Sequence, residues 1–222
     1  MKAALSHVRD WIFDLDNTLY PASGDLWTQI DARIGAYVQT LLDCSPEEAH
    51  RIQKGYFHSH GTTLNGLMAD HDVDPHHYLD AVHEVDLSGI EANLALAEAL
   101  VRLPGRKLIF TNANAPYAVR VLERLGLSDT FEAVHDIHST AYRPKPDPLA
   151  YAGLCTAFDL DPGESLFVED MARNLKPAKA IGMTTVWIDN GSEQTSDTDR
   201  SFIDYTITDL GAWLHDILED RA

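Results

Sequence analysis

Seven polar residues, spread over four distant parts of the chain, are of types that can do chemistry together. They are Asp14, Asp16, Thr111, Asn112, Lys145, Glu169 and Asp170. Several carboxylates that converge in a concave site repel one another strongly unless a cation lies among them. Oxygen ligands that include one or two direct carboxylates suit Mg²⁺. The acids therefore predict a magnesium site, although each acid alone could be a turn residue or a helix N-terminal charge.

Three other residues could bind an anion instead of a cation, because they can donate hydrogen bonds: Lys145, Thr111 and Asn112. Lys145 lies in the segment 142–148, in which three prolines stiffen the chain and limit where the ammonium can point. A solvated loop lysine is the alternative interpretation. A metal, a carboxylate nucleophile, a second carboxylate, a lysine and a hydroxyl together match phosphoryl transfer, in which catalysis is mainly positioning and neutralisation of charge.

Short apolar runs predict the strands that must hold these residues in place. The runs are 11–13, 108–110, 166–168 and 186–188, with a weaker one at 131–134. The amphipathic stretches between them are 117–125, 149–158 and 175–181. Continuous apolar runs separated by helical patterns are typical of a parallel sheet covered on both faces. We therefore predict an α/β fold with a doubly wound, mainly parallel, Rossmann-like sheet, whose ligand binds beyond the carboxyl ends of the strands.

The long segment between the first two of these runs carries helical patterns and no convincing strand. The patterns cover 26–42, 46–56, 75–85 and 90–103. Ser45 is placed as the N-cap of the second pattern and is followed by a proline, which suits a first helical position. We predict a small helical cap over 22–92, inserted after the first strand where it can cover a ligand. The core is then formed by 1–21 and 93–222.

Composition and charge limit the class of protein and its partners. The chain has 222 residues, 45% of them hydrophobic, which is enough to bury a large core. Lys and Arg number 17 against 35 Asp and Glu, and the net charge of −18 repels polymeric nucleic acid and anionic membranes. The two cysteines, Cys44 and Cys155, exclude a disulfide framework and a four-cysteine zinc site. The sequence suggests neither a signal peptide nor a spanning segment, so we expect a cytoplasmic protein.

Taken in chain order, the motifs resemble those of a known enzyme superfamily. Asp14-x-Asp16-x-Thr18, Thr111-Asn112, Lys145-Pro146 and Glu169-Asp170 with Asn174 look like the four motifs of the haloacid dehalogenase superfamily. The resemblance covers nearly the whole chain, and the four motifs together are specific. The segments 13–21, 61–67, 82–87 and 169–175 are similar to the pyrimidine 5′-nucleotidase branch. The resemblance implies Mg²⁺-dependent hydrolysis of a small phosphomonoester, a pyrimidine nucleoside monophosphate. The alternatives from the same superfamily are a sugar-phosphate phosphatase and a phosphomutase.

The resemblance also implies a role for each site residue. Asp14 would attack phosphorus to form an aspartyl-phosphate, and Asp16 would protonate the leaving alcohol and then accept a proton from water. Thr111, Asn112 and Lys145 would bind the phosphoryl oxygens. The implied Mg²⁺ ligands are Asp14, the backbone carbonyl of Asp16 and Asp170, with Glu169 acting through water.

Three other activities fit the residues less well. A dehalogenase would not require the acid Asp16, because a halide ion leaves without being protonated. A receiver domain also uses an acceptor aspartate with a threonine and a lysine, but its acidic pair precedes the acceptor and its length is about half of this one. A non-catalytic binding protein on the same fold is disfavoured by the intact acids and lysine.

The cap and its edge carry weaker candidates. Those for contact with the substrate are Tyr20, Tyr56, Thr62 and Thr63. The aromatic residues that could stack on a base, with core packing as the alternative, are Trp27, Tyr37 and Tyr56. Six histidines, His58, His60, His71, His76, His77 and His83, lie in the cap, but their spacing is not diagnostic of zinc. Gly61 and Gly66 are expected to shape a turn of the cap.

Overall fold

The computed structural model describes residues 3–21, 25–192 and 198–219. The chain divides into two compact units, one made of Met1–Ala22 and Ile90–Ala222 and the other of Ser23–Gly89. The first unit contains the sheet, and the described residues of the second form helices and no strand. The division falls close to the predicted cap limits of 22–92, while the function of the helical unit stays a prediction.

The first unit holds a parallel sheet. Its strands, in the described residues, are β1 (Asp10–Phe13), β2 (Arg106–Phe110), β3 (Ala133–His135), β4 (Ser165–Glu169), β5 (Thr184–Ile188) and β6 (Tyr205–Ile207). Their spatial order is β3-β2-β1-β4-β5-β6, and every neighbouring pair is parallel. The order changes direction at β1, and ligands of open parallel sheets bind at such a switch point. The predicted α/β fold with a parallel, Rossmann-like sheet is confirmed.

Helices lie between the strands and make up the second unit. In the described residues they are α1 (Leu26–Leu42), α2 (Pro46–His60), α3 (Thr63–His71), α4 (Pro75–Val82), α5 (Leu94–Arg102), α6 (Ala115–Leu125), α7 (Pro148–Phe158), α8 (Ala172–Ala180) and α9 (Leu210–Glu219). The seven predicted helical stretches correspond to α1, α2 and α4–α8. None of the described helices combines the length and the apolar character that crossing a membrane requires.

Burial on both faces of the sheet explains the unbroken apolar runs. All four residues of β1 and all five of β4 are buried. Ile12, Phe110 and Phe167 of three neighbouring strands belong to one apolar cluster with Tyr151 and Leu154 of α7. Burial of a side chain of this size contributes about 1.5–3 kcal/mol before the chain entropy is counted. The strand ends are therefore firmly held, and the polar residues that follow them have fixed positions.

The second unit is a set of four packed helices. α1 packs against α2 and α4, and α2 packs against α3. Asp31 of α1 accepts hydrogen bonds from Gln53 Nε2 at 2.7 Å and Lys54 Nζ at 2.9 Å, both on α2. Ser45 Oγ accepts from the Glu48 N–H at 3.2 Å, which confirms the predicted N-cap of α2.

Gly66 does not lie in a turn, and the prediction that it does is wrong. It is a buried residue of α3, a helix that the sequence patterns did not reveal. A Cβ atom at this position would lie 2.1 Å from Cγ and Cδ1 of Tyr56 on α2, so glycine is needed where the two helices approach. Gly61 does shape the chain reversal, because it ends α2 with a φ of 81°.

Candidate active site at the carboxyl edge of the sheet

The carboxyl ends of β1, β2 and β4 bring the predicted residues to one edge of the sheet. Phe13, the last residue of β1, is level with residues of both neighbouring strands. Asp14 follows β1, Thr111 follows β2, and Glu169 is the last residue of β4. The Asp14 N–H donates to the carbonyl of Val168 at 2.9 Å, which continues the strand pairing by one residue and fixes the start of the acidic loop.

Lys145 lies in the middle of this edge and is a buried ion, not a solvated loop lysine. Its side chain is 2% exposed. Its Nζ donates to Asp14 Oδ1 at 2.6 Å, to Glu169 Oε2 at 2.7 Å and to the Phe110 carbonyl at 2.9 Å. An ammonium has three N–H groups, so each of them has a partner here. The alternative interpretation of Lys145 as a solvated lysine is thereby excluded, although the residue does lie in a turn.

Asn112 holds the backbone of Lys145. Its Oδ1 accepts from the Lys145 N–H at 2.8 Å, and its Nδ2 donates to the Lys145 carbonyl at 3.3 Å. Asp147 fixes the other side of the segment, since its Oδ1 accepts from the Leu149 N–H at 2.9 Å and caps α7. The structure therefore gives Asn112 a positioning contact that the sequence did not reveal, and its contact with phosphate stays a prediction.

The buried acids of the site share charge with Lys145, and their pKa values are raised. Burial and the negative charge of Glu169 raise the pKa of Asp14 to about 7, although Lys145 opposes this rise. Burial raises the pKa of Glu169 to about 7, again against Lys145. Burial and the charge of Asp14 raise the pKa of Asp170 to about 6. Burial alone would lower the pKa of Lys145, but the charges of Asp14 and Glu169 raise it above its usual value, so the group remains an ammonium.

Three of the four predicted metal residues have carboxylates that converge. One ligand oxygen each of Asp14, Glu169 and Asp170 lies within 4.8 Å of the others, and all three residues are buried. When ionised, these acids place three negative charges against the single positive charge of Lys145, so a divalent cation fits the remaining charge. Hard oxygen ligands of this kind suit Mg²⁺. The carboxylate of Asp16 does not belong to this group. The role predicted for its backbone carbonyl as a Mg²⁺ ligand stays a prediction.

Asp16 is held by two tyrosines. Its Oδ1 accepts from the hydroxyl of Tyr117 at 2.8 Å and from the hydroxyl of Tyr20 at 2.5 Å. The two hydroxyls are themselves 3.4 Å apart. Tyr20, predicted as a substrate candidate, therefore contacts the second aspartate of the first motif. Tyr117 was not among the predicted site residues, because at the start of α6 its pattern is that of a core residue.

Two threonines, Thr18 and Thr111, lie in the loops that follow β1 and β2. Thr18 Oγ1 donates to Asp14 Oδ2 at 3.3 Å, opposite the oxygen that Lys145 contacts. Thr111 Oγ1 accepts from the Ala113 N–H at 3.0 Å and donates to none of the described residues. The donor role predicted for Thr111 toward phosphate stays a prediction.

The loop after β5 contributes contacts that the sequence did not reveal. Ser192 Oγ donates to Asp170 Oδ2 at 2.6 Å, and Asn190 Nδ2 donates to the Asn17 carbonyl at 2.6 Å. Ser192 is half-buried and opens a polar stretch of the sequence, of which 193–197 lie outside the described residues. Asn174 of the fourth motif is buried, and its Oδ1 has no partner among the described residues.

The cap candidates make contacts within the helical unit. Tyr56 donates to Asp70 Oδ2 at 2.9 Å, Thr62 is the N-cap of α3, and Thr63 donates to the Gln53 carbonyl at 3.2 Å. These contacts explain the residues structurally, and their contact with a substrate stays a prediction. Over the described part of the chain the only group of three or more possible metal ligands is the acidic one at the strand ends, so the cap histidines form no such group.

Curated relatives of this chain are named as phosphatases or by phosphate metabolism. It is 27% identical over 207 residues to the phosphoglycolate phosphatase of Neisseria gonorrhoeae, covering 86% of this chain and 84% of the relative. It is 26% identical to the phosphoglycolate phosphatase of Chromobacterium violaceum, covering 97% and 99% of the two chains. It is 24% identical to phosphate metabolism protein 8 of Saccharomyces cerevisiae over 78% of this chain, and the matched region spans only 59% of that longer protein.

Solved structures share the fold at low sequence identity. The HAD phosphatase from Thermococcus onnurineus superposes with a TM-score of 0.64 at 22% identity, over 95% of this chain and 98% of the other. The HAD-hydrolase YfnB from Bacillus subtilis, bound to magnesium, gives 0.62 at 14% identity over the same shares. The L-2-haloacid dehalogenase of Xanthobacter autotrophicus gives 0.58 at 17% identity, over 97% and 100%. At these identities the likeness establishes the fold alone.

A sequence model of a protein family matches the part of the chain that contains all four motifs. The model described as haloacid dehalogenase-like hydrolase matches residues 11–182, from β1 through α8. This range contains every segment that meets at the carboxyl edge of the sheet except the loop after β5. Because the match covers well over half of the sequence, the chain belongs to the haloacid dehalogenase-like hydrolases.

Proposed function

We propose that this protein hydrolyses small phosphomonoesters with Mg²⁺, through an aspartyl-phosphate formed on Asp14. One observation carries the proposal: the buried Lys145 ammonium contacts both Asp14 and Glu169, with Asp170 beside them, at the switch point of the sheet. A carboxylate held beside a lysine and a cation site is placed to attack phosphorus while phosphate charge is neutralised. The phosphatase names of the curated relatives support the same reaction class.

Asp14 must be ionised to act as the nucleophile. Burial raises its pKa to about 7, and the ammonium of Lys145 opposes that rise. Mg²⁺, when bound, supplies further positive charge that favours the carboxylate and neutralises phosphate oxygens. Lys145 already uses all three N–H groups in the free site, so a phosphoryl oxygen must replace one of its present acceptors. The Thr111 hydroxyl donates to another phosphoryl oxygen.

Asp16 exchanges protons in both halves of the reaction. As the P–O bond to the alcohol breaks, its carboxyl group gives a proton to the leaving oxygen. The resulting carboxylate then takes a proton from the water that attacks the aspartyl-phosphate, which restores the free enzyme and releases phosphate. Proton transfer of this kind contributes about 10²–10⁴ to the rate.

The substrate is a small anionic phosphomonoester, and two classes are supported by different observations. The resemblance of 13–21, 61–67, 82–87 and 169–175 to the pyrimidine 5′-nucleotidase branch favours a pyrimidine nucleoside monophosphate. The phosphoglycolate phosphatases, which match over 84% and 99% of their lengths, favour a small organic acid phosphate. We propose the nucleotide as the first candidate and phosphoglycolate as the second. A phosphomutase would return the phosphoryl group to a sugar and would need a bisphosphate activator.

Replacing the nucleophile tests the mechanism. Asp14→Asn is expected to abolish phosphate release with Mg²⁺ present, because an amide cannot attack phosphorus, while Asp16→Asn is expected to lower kcat by about 10²–10⁴. Asp129→Asn, an exposed site outside the acidic edge, is the matched control and should leave the rate unchanged. Unchanged turnover in Asp14→Asn would remove the proposed mechanism.

A substrate screen tests the specificity. Phosphate release is measured for pyrimidine and purine nucleoside monophosphates, phosphoglycolate and sugar phosphates, with Mg²⁺ and with EDTA. The highest kcat/KM is expected for a pyrimidine nucleotide, with loss of activity in EDTA. A preference for phosphoglycolate would select the second candidate, and full activity in EDTA would contradict the metal dependence. A requirement for added bisphosphate would instead support a phosphomutase.

A further inference from the structure

The two phenols on Asp16 are placed to control the direction of its carboxylate. Both hydroxyls donate to the same oxygen, Oδ1, at 2.5 Å from Tyr20 and 2.8 Å from Tyr117. The other oxygen, Oδ2, has no hydrogen-bond partner among the described residues. The Asp16 side chain, which would otherwise rotate about two bonds, is thus fixed through Oδ1, while Oδ2 makes no such hydrogen bond.

The two donors come from different parts of the chain. Tyr20 lies in the loop after β1, four residues beyond Asp16, whereas Tyr117 lies in the first turn of α6, after the Thr111 segment. The side chain of Tyr117 is buried and that of Tyr20 is half-buried. The pair therefore ties the acidic loop to the neighbouring strand-to-helix connection, and the packing of α6 sets the position of the carboxylate.

Both phenols act as donors to Asp16, because an ionised carboxylate oxygen can only accept hydrogen bonds. Burial and the negative charge of Asp16 raise the pKa of each tyrosine well above its usual value, which agrees with this direction. A hydrogen bond from a neutral donor to a charged group contributes more than one between neutral groups.

We propose that Tyr20 and Tyr117 are positioning residues, which hold Oδ1 of Asp16 so that Oδ2 is the oxygen that exchanges a proton with the leaving group and with water. This inference rests on the proposed function, since it concerns the acid of that reaction. It assigns no proton transfer to the tyrosines. The leaving oxygen receives its proton from Asp16, and water returns one to Asp16 in the second half of the reaction.

The dependence on the leaving group tests this assignment. An alkyl phosphate needs a proton on its leaving oxygen, whereas 4-nitrophenolate leaves without one. Tyr117→Phe and Tyr20→Phe are each expected to lower kcat for an alkyl phosphate by roughly 10-fold, with little change in KM, because one hydrogen bond to a carboxylate is lost. For 4-nitrophenyl phosphate the rate of the first step, followed as the nitrophenolate burst, should change less than about 3-fold.

Three comparisons keep the outcome decisive. Tyr205→Phe, which removes a hydroxyl from the distant strand β6, is the matched control and should change neither rate. In an Asp16→Asn background, Tyr117→Phe should add no further loss on the alkyl substrate, since the group that it positions is already absent. Thermal unfolding of each variant identifies any that fails to fold, and Tyr20→Phe, at the less buried position, then carries the test.

The possible failures are distinguishable. Equal losses on both substrates, or an additional loss in the Asp16→Asn background, would show a general structural effect and would overturn the positioning role. Unchanged rates in both tyrosine variants would overturn it as well. If the wild-type protein releases phosphate from neither substrate, or if Asp14→Asn retains turnover, it is the proposed function itself that fails.

Discussion

The residue on which the site depends is Lys145, because a buried ammonium is tolerated only when its charge and its N–H groups are matched. Two carboxylates and a carbonyl surround it at 2.6–2.9 Å, and the side chain is 2% exposed. Without this cation, Asp14 and Glu169 would be buried side by side with like charge. Removing one partner from a buried ion pair is therefore expected to be far more harmful than removing one from a surface pair.

The first prediction compares two lysines. Lys145→Met, measured by urea unfolding at pH 8 with EDTA, is expected to lower the free energy of unfolding by about 3–5 kcal/mol, because two carboxylates lose their buried partner. Lys179→Met is the matched control. Lys179 pairs with Asp204, but the two side chains are 39% and 31% exposed, so a loss of at most about 1 kcal/mol is expected. Equal losses in the two variants would contradict the account of Lys145.

The charged residues of the site could be predicted from the sequence, but the residues that contact them could not. Asp14, Thr111 and Glu169 could be found because each occupies the end of an apolar strand, where side-chain type and position both point to a ligand. Tyr117 and Ser192 could not, since a tyrosine at the start of an amphipathic helix is ordinarily core and a serine in a polar loop is ordinarily solvated. Their contacts depend on which segments lie side by side, and only the tertiary structure supplies that.

At the scale of elements, predictability follows burial. β1, β2, β4 and β5 are central or nearly so, and their continuous apolar runs gave a clear signal. β6 has three residues, is only half-buried or exposed and lies at the sheet edge, so its sequence carries no apolar run. β3 begins two residues later than the predicted run 131–134 and extends to His135. α3 was missed because a short helix with an internal glycine resembles a turn.

The second prediction concerns that glycine. Gly66→Ala is expected to lower the free energy of unfolding by about 1–3 kcal/mol, because the new Cβ would lie 2.1 Å from the Tyr56 ring and separate α2 from α3. Gly153→Ala, in α7, meets no atom within 4 Å and is the matched control. There the better helix propensity of alanine should leave stability unchanged or raise it by up to about 1 kcal/mol. Urea denaturation of both variants measures the difference, and a Gly66→Ala protein as stable as the control would contradict the close contact.

On the scale of the whole molecule, negative charge is concentrated both on the surface and in the site. The chain carries 35 acidic against 17 basic side chains, and three of the acids converge at one buried edge with a single lysine. An anionic substrate can approach such a protein only where local positive charge exceeds the general repulsion. The proposed divalent cation beside Lys145 would supply that charge, and we therefore expect metal binding, substrate binding and stability to be coupled.

The last prediction is the pH dependence of stability without metal. The pKa values of Asp14 and Glu169 are raised to about 7 and that of Asp170 to about 6, well above the usual values near 4. Groups with raised folded-state pKa values stabilise the fold at low pH, and this contribution is lost as pH rises through about 6–7. In EDTA the Tm is therefore expected to fall between pH 5.5 and pH 8. His135 acts in the opposite direction, because burial lowers its pKa. The informative quantity is therefore the difference in Tm decline between the wild type and Asp170→Asn, which keeps His135 but removes one acid and should show a shallower decline.

Because protons compete with a metal for carboxylates, added Mg²⁺ should raise the Tm more at pH 8 than at pH 5.5, and Asp170→Asn should lose most of this effect. Differential scanning fluorimetry of both proteins at the two pH values, in EDTA and in Mg²⁺, measures these Tm values. A Mg²⁺ shift of equal size at both pH values, or one that survives in Asp170→Asn, would show that the ion binds away from the acidic edge.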